Sequence, residues 1–291
     1  MKYNELGKSG LQISEIGFGG MSLPANEKEA AEIIHHAIEL GINYFDTADI
    51  YNNGLNEISI GKALKGKRDK IILASKVGNV VKPGGLPGFD WNPSKKHILE
   101  SIDNSLKRLQ TGYLDLYQLH GGTINDNIDE TIEAFELLKQ QGKIRHYGIS
   151  SIRPNVIKEY IKRSNIVSVM MQYSLLDRRP EEECLDLLYK NNVSVVSRGA
   201  LAQGLLAGKP AKPYLGLSQE EVEKIAAAVN MQTAVKYVLF HPAVASAVIG
   251  IRTNEQLADA VKAGSAPALE ERFVKSLRSG NRQIVYTDHR Q

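Results

Sequence analysis

Asp46, Tyr51, Lys76 and His120 form a set that can do carbonyl chemistry if the fold brings them together. A phenol is a weak acid, with an unperturbed pKa near ~10. An ammonium beside it stabilises the phenolate and makes the proton easier to give up. Lys76 can supply that charge, and Asp46 can hold Lys76 in place and keep it charged. A neutral imidazole at His120 can donate a hydrogen bond to a carbonyl oxygen and orient it. Together they make a tuned general acid beside a positioning donor. Such a set suits protonation of a carbonyl oxygen while hydride arrives from another molecule.

Taken singly, each residue has a structural explanation. A lone Asp in FDTAD often caps a helix, and a Lys or Tyr after a strand is commonly solvated. A His at a strand end often bonds to backbone. What distinguishes these four is their place at the ends of consecutive apolar runs. Eight such runs read as strands: 16–20, 42–47, 70–76, 114–120, 145–150, 166–172, 193–198 and 246–250. Several are apolar almost throughout, as expected of parallel strands buried on both faces. Helical patterns alternate with them over 27–40, 93–109, 128–141, 154–163, 180–191, 218–229, 233–241 and 254–263, several opening on Pro or closing on Gly.

This alternation predicts an α/β fold, a single (β/α)8 TIM barrel spanning 1–291. The rival doubly wound sheet lacks its Gly-x-Gly-x-x-Gly turn, since the first strand runs into GFGGMSL. Residues 1–14 read as an N-terminal β-hairpin with the turn GKSG. Residues 77–93 read as a long loop on the C-terminal face, where barrels place their chemistry, and 265–291 as a C-terminal tail. Further polar strand ends on that face are Ser150, Ser151, Gln172, Tyr173, Arg198, Gly250 and Arg252.

Composition narrows the function classes. The net charge of +3 is spread along the chain and gives no case for nucleic acid. No apolar run reaches 18 residues, so no membrane span is expected. The one cysteine, Cys184, cannot pair internally, which suits a reducing, cytoplasmic setting. The seven histidines show no metal-ligand spacing of the His-Glu-x-x-His kind, so no metal site is expected. With no heptad pattern, a monomer is the default.

The motifs NYFDTADIYNNGLNEISIGKAL, ILASKVG, YLDLYQLH, GKIRHYGISS, YSLLDRR and VIGIRTNEQL resemble those of the aldo-keto reductase superfamily, in its bacterial form. The resemblance runs from LGKSGLQISEIGFGG to YTDHR, nearly the whole chain. It implies a catalytic tetrad of Asp46, Tyr51, Lys76 and His120. It also implies a nicotinamide dinucleotide, NADPH with NADH as an alternative, extended across the mouth without a Rossmann motif. Gly20, Met21 and Asp46 would lie near the nicotinamide ribose, Ser150 and Ser151 at the carboxamide, and Tyr173 stacked on the ring. Arg198 and Gly199, Leu201, Gln203, Gly204 and Leu205 would follow the pyrophosphate. Gly250, Arg252, Thr253 and Gln256 would hold the adenosine end, with Arg252 and the start of the following helix suited to a 2′-phosphate.

The chain departs from that pattern in places. Ser151 replaces a common Asn and Met170 a common Gln, with Gln172 available to compensate. Ala260 stands where an Asn often meets adenine. Gly121 replaces a large residue after the His and should widen the substrate pocket, with Trp91 a further candidate for substrate contact. The segment 209–218 is short, which predicts a more open dinucleotide site. The expected activity is reduction of a small-molecule aldehyde or ketone, Tyr51 giving the proton. The alternative is a nucleotide-binding regulatory subunit of the same fold with little turnover; a third is a barrel of metal-dependent lyase or isomerase chemistry.

Overall fold

The computed structural model describes residues 1–82, 84 and 86–290. Eight parallel strands close into a barrel: β3 (Ile16–Gly19), β4 (Tyr44–Asp46), β5 (Ile72–Val77), β8 (Leu114–Leu119), β9 (Ile144–Ser150), β10 (Ser168–Gln172), β11 (Ser194–Arg198) and β12 (Val244–Gly250). The ring follows chain order, and β12 pairs back onto β3 through Ala247–Ile16 and Gly250–Gly19. All eight runs expected from the sequence are present, which confirms the (β/α)8 TIM barrel.

Two antiparallel hairpins decorate its ends. β1 (Tyr3–Glu5) and β2 (Gln12–Ser14) form the N-terminal hairpin, with Asn4 paired to Ile13. It closes the bottom of the barrel: Asn4 Nδ2 donates to the Ala245 carbonyl at 2.9 Å, and Gly7 N to Ser194 Oγ at 2.7 Å. Leu6 and Ile13, both fully buried, enter an inner core with Tyr44, Leu116, Met170 and Val196. The hairpin therefore removes apolar interior from water, a favourable term of roughly 25 cal/mol per Å². Met170 is packing in this layer and is not free for ligand contact. The second hairpin, β6 (Asn79–Val81) and β7 (Phe89–Trp91), falls in the segment expected to be an irregular loop.

The outer layer comprises α1 (Glu27–Glu39), α2 (Leu55–Ala63), α3 (Lys95–Leu109), α4 (Ile128–Gln140), α5 (Pro154–Arg163), α6 (Cys184–Lys190), α7 (Gln219–Ala227), α8 (Met231–Val238), α9 (Asn254–Ser265) and α10 (Glu271–Ser279). The helical pattern over 180–191 divides into a 3₁₀ turn at Arg179–Glu182 and α6. Two helices escape the sequence patterns. The inward face of α2 includes buried Asn56 and Glu57, so no apolar stripe announces it. α10 lies in the segment expected to be a tail; only Val274 and Leu277 of its nine residues are buried.

α2 crosses α3 closely enough to require glycine. A Cβ on Gly61 would sit 2.6 Å from the Leu109 carbonyl carbon and 2.7 Å from the Arg108 oxygen, both backbone atoms that cannot yield. Gly61→Ala should cost about 1–3 kcal/mol of stability by overpacking. A lowered thermal midpoint should register it, with turnover per folded molecule unchanged.

Candidate active site

The C-terminal face gathers its groups from three neighbouring strands. β4 ends on Asp46, β5 carries Lys76, and His120 follows β8. Tyr51 opens a 3₁₀ turn, Tyr51–Gly54, in which Asn52, Asn53 and Gly54 all have left-handed backbone, at φ 49°, 52° and 84°. Asn and Gly tolerate that region best, so the Asn-Asn-Gly run lets the chain reverse sharply beside the mouth.

Lys76 is fully buried and is the hub of the site. Its Nζ donates to Asp46 Oδ2 at 2.6 Å and to the Thr47 carbonyl at 2.7 Å, and lies 3.5 Å from the Tyr51 hydroxyl. Burial works against the ammonium, but the Asp46 carboxylate and the Tyr51 oxygen outweigh it and leave the Lys76 pKa above its ordinary value. The Tyr51 and His120 rings meet edge to face, with centroids 5.9 Å apart. Sequence reasoning places these four groups at one rim, and the structure brings all four together.

His120 is held neutral. Burial, then the charges of Lys76 and Arg198, push its pKa down to about 3. Its Nδ1 is buried without a partner among the described residues. Below its ordinary 6.5, the unfolded chain takes up a proton that the native ring refuses. Stability from this group is therefore full above 6.5 and is lost as pH falls toward 3. Asp49, raised by burial and Glu57 from 3.8 to about 7, acts in the opposite direction. His120→Asn should flatten the acid loss of stability relative to the parent; denaturant midpoints between pH 6.5 and 4 test it, and an unchanged slope would contradict it.

Several supporting residues were not singled out in the sequence. Gln118, two positions before His120 and so also facing inward, points Nε2 at Asp46 Oδ1 at 3.5 Å. Asn56 accepts from Thr47 Oγ1 and donates to the Gly20 carbonyl, both at 2.6 Å, tying the first loop to the second. Glu57, fully buried, takes Ser75 Oγ at 2.6 Å and Arg108 Nε at 2.7 Å, which fixes α2 behind the strand carrying Lys76. Their legible signal is polar residues at inward positions of a strand or beside a chemistry-bearing motif.

The residues expected to line a dinucleotide spread around the same rim. Gly20 is buried and Met21 is 68% exposed. Ser150 ends β9, while Ser151 is buried and its hydroxyl accepts from Arg153 N at 3.1 Å. Gly199 is left-handed at φ 70°, as are Gln203 and Gly204 in the following 3₁₀ turn, where Leu205 is core and Leu201 half-buried. Lys209 crosses that turn, its Nζ donating to the Gln203 carbonyl at 3.0 Å. At the other end, a Cβ on Gly250 would meet Ser22 Oγ at 2.6 Å, and Arg252 Nε donates to the Ser22 carbonyl at 3.3 Å. Thr253 caps α9 and accepts from Gln256 N, while the Gln256 side chain accepts from Arg252 N. Ala260 is fully buried against the core.

Three expectations need correcting. Tyr173 cannot stack on a ligand ring: it is 0% exposed, packs on Tyr237 and donates its hydroxyl to Glu181 at 2.9 Å. Gln172 is already engaged, donating to Asp177 at 3.0 Å and to the Tyr214 hydroxyl at 3.2 Å. And Gly121 does not widen the pocket, because Trp91 fills the space. A Cβ on Gly121 would lie 3.1 Å from the indole and one on Gly78 2.7 Å from it. The indole Nε1 donates to both Asp126 carboxylate oxygens at 3.1 Å, so the hairpin supplies from a distance the bulk missing at position 121. Gly121→Leu should expel the indole. Trp91 is the sole tryptophan, so a red-shifted emission should report it, and an unshifted spectrum would contradict the seating.

A closed (β/α)8 barrel with a Lys–Asp pair, a tyrosine and a neutral histidine at its C-terminal mouth is the frame of an oxidoreductase. The aldo/keto reductase family pattern matches residues 15–282, and the chain belongs to that family. It is 51% identical to the uncharacterized oxidoreductase YqkF of Bacillus subtilis over 307 aligned positions covering 100% of both chains. It is 31% identical to the L-galactose dehydrogenase of Arabidopsis thaliana over 89% of this chain and 86% of that one. Among solved structures, the holo form of aldo-keto reductase AKR11C1 from Bacillus halodurans superposes with a TM-score of 0.96 at 51% identity, covering 100% of both chains. The apo form of that enzyme gives 0.88 at 49% identity, again over 100% of both.

Proposed function

We propose that this enzyme reduces aldehydes and ketones to alcohols with NADPH, using Tyr51 as the proton donor. The observation that carries the proposal is the contact set around Lys76: Asp46 at 2.6 Å on one side and the Tyr51 hydroxyl at 3.5 Å on the other. When bound, a reduced nicotinamide would supply hydride to the carbonyl carbon. The carbonyl π pair then moves to oxygen, which takes the Tyr51 proton. Lys76 stabilises the phenolate left behind, and water restores its proton. His120, neutral through the working pH range, donates a hydrogen bond to the same oxygen and fixes its angle. Asp46 and Gln118 keep the ammonium aimed.

The rim fits an extended dinucleotide. Arg198 at the end of β11, Lys209 in the loop after it and Arg252 in the loop after β12 are exposed cations, and Arg252, just before the α9 cap, suits a 2′-phosphate. The chain also resembles the holo form of AKR11C1 more closely than the apo form. The short 209–218 segment folds down onto the barrel, with Tyr214 buried and bonded to Gln172, which favours an open site. We place the enzyme in the cytosol as a monomeric barrel domain. Cys184 is buried, and burial lifts its thiol to about 12; no helix among the described residues is long and apolar enough to cross a membrane.

Titration with NADPH and NADH, read by quenching of Trp91, tests the cofactor, and a 4-nitrobenzaldehyde assay tests the reaction. The expected result is tighter NADPH binding and steady NADPH oxidation. Tight binding with no turnover across an aldehyde panel would establish the regulatory alternative instead.

A further inference from the structure

In the ring of eight strands, β11 stands opposite β5, so Arg198 and Lys76 lie near the C-terminal ends of facing strands. Arg198 is exposed, and its guanidinium is pinned along one edge: Nη1 donates to Gln172 Oε1 at 3.0 Å. Gln172 is itself fixed by Asp177 and Tyr214. Asp177 gives its carboxylate to Arg179 at 2.7 Å through both oxygens, so it does not neutralise Arg198. Among the described residues no carboxylate pairs with Arg198, and its charge is felt on the far side, at His120 and Asp46. Tyr173, the aromatic group expected to meet the nicotinamide, has no exposed face. What the chain offers at that side of the mouth is a planar, held, unpaired cation.

We propose that Arg198 faces the nicotinamide ring and that its positive charge disfavours the cationic oxidised ring relative to the neutral reduced one. This rests on the nicotinamide reading above and adds to it. The enzyme would hold NADPH more tightly than NADP⁺ and let the spent nucleotide go. A guanidinium lying flat on a ring gives a platform of the kind an aromatic side chain gives, but with a charge that depends on the redox state of its partner. The alternative place for Arg198 is along the pyrophosphate. The two are separable, because the pyrophosphate carries the same charge in both oxidation states and the ring does not.

Isothermal titration calorimetry of NADPH and NADP⁺ on the parent enzyme, Arg198→Gln and Arg198→Lys decides it. Arg198 is exposed, so both variants should fold. With a ring-facing charge, the ratio Kd(NADP⁺)/Kd(NADPH) should drop on the order of tenfold in Arg198→Gln, as expected for one solvent-screened charge at contact distance. It should stay near the parental value in Arg198→Lys, which keeps the charge. An unchanged ratio in Arg198→Gln, whether both affinities fall together or neither moves, overturns the proposal, and so does a Lys variant that behaves like Gln. If the parent enzyme binds neither nucleotide, the nicotinamide reading itself has failed, an outcome distinct from an unchanged ratio.

Discussion

Tyr51→Phe should lower kcat for aldehyde reduction by on the order of 10²-fold or more, with NADPH affinity close to the parent. The substitution removes one oxygen and keeps the ring, so the edge-to-face packing on His120 survives. On the proposed mechanism, what is lost is the group that would hand a proton to the developing alkoxide while Lys76, 3.5 Å away, would stabilise the charge left behind. Single-turnover mixing with NADPH and 4-nitrobenzaldehyde measures the chemical step directly. A Phe variant that turns over at the parental rate would transfer the acid role to another group or to water.

Lys76→Met should be as severe for turnover and should also cost stability. Asp46 is 4% exposed, and its nearest cation is Lys76 at 2.6 Å. Without the ammonium it must either stay charged in a dry site or take up a proton. Breaking a buried pair from one side costs about 3–5 kcal/mol. Asp46→Asn in the same chain removes the stranded charge. The double variant should therefore regain much of the thermal midpoint lost by Lys76→Met and none of its activity. Recovery of both together would make the pair a structural strut; recovery of stability alone makes it the tuning device for the phenol. Circular dichroism melts and the same single-turnover assay supply the two readouts.

The barrel and the cluster at its mouth are legible for one reason: parallel strands buried on both faces are apolar runs, and a polar residue that closes such a run stands out. Asp46, Lys76 and His120 all sit at such breaks, and Tyr51 follows in the adjoining turn. What escaped was whatever breaks that rule. α2 hides because Asn56 and Glu57 face inward to hold Gly20, Thr47 and Ser75, so its helical period carries polar residues. The β6–β7 hairpin hides among Gly and Pro residues that read as loop. Tyr173 was misplaced because the end of a strand does not say which way a side chain turns. Its ring goes down to Tyr237 and Glu181, away from the mouth. Gly121 was misread because its neighbour in space, Trp91, lies 30 residues earlier in the chain.

The ternary complex of this enzyme with NADP⁺ and an unreactive carbonyl analogue, solved by crystallography, bears most directly on the central claim. It should show the analogue's oxygen within hydrogen-bond reach, about 2.6–3.2 Å, of both the Tyr51 hydroxyl and a ring nitrogen of His120, with its carbon facing the nicotinamide. An oxygen bound elsewhere on the rim, with Tyr51 and His120 touching only each other, would contradict it.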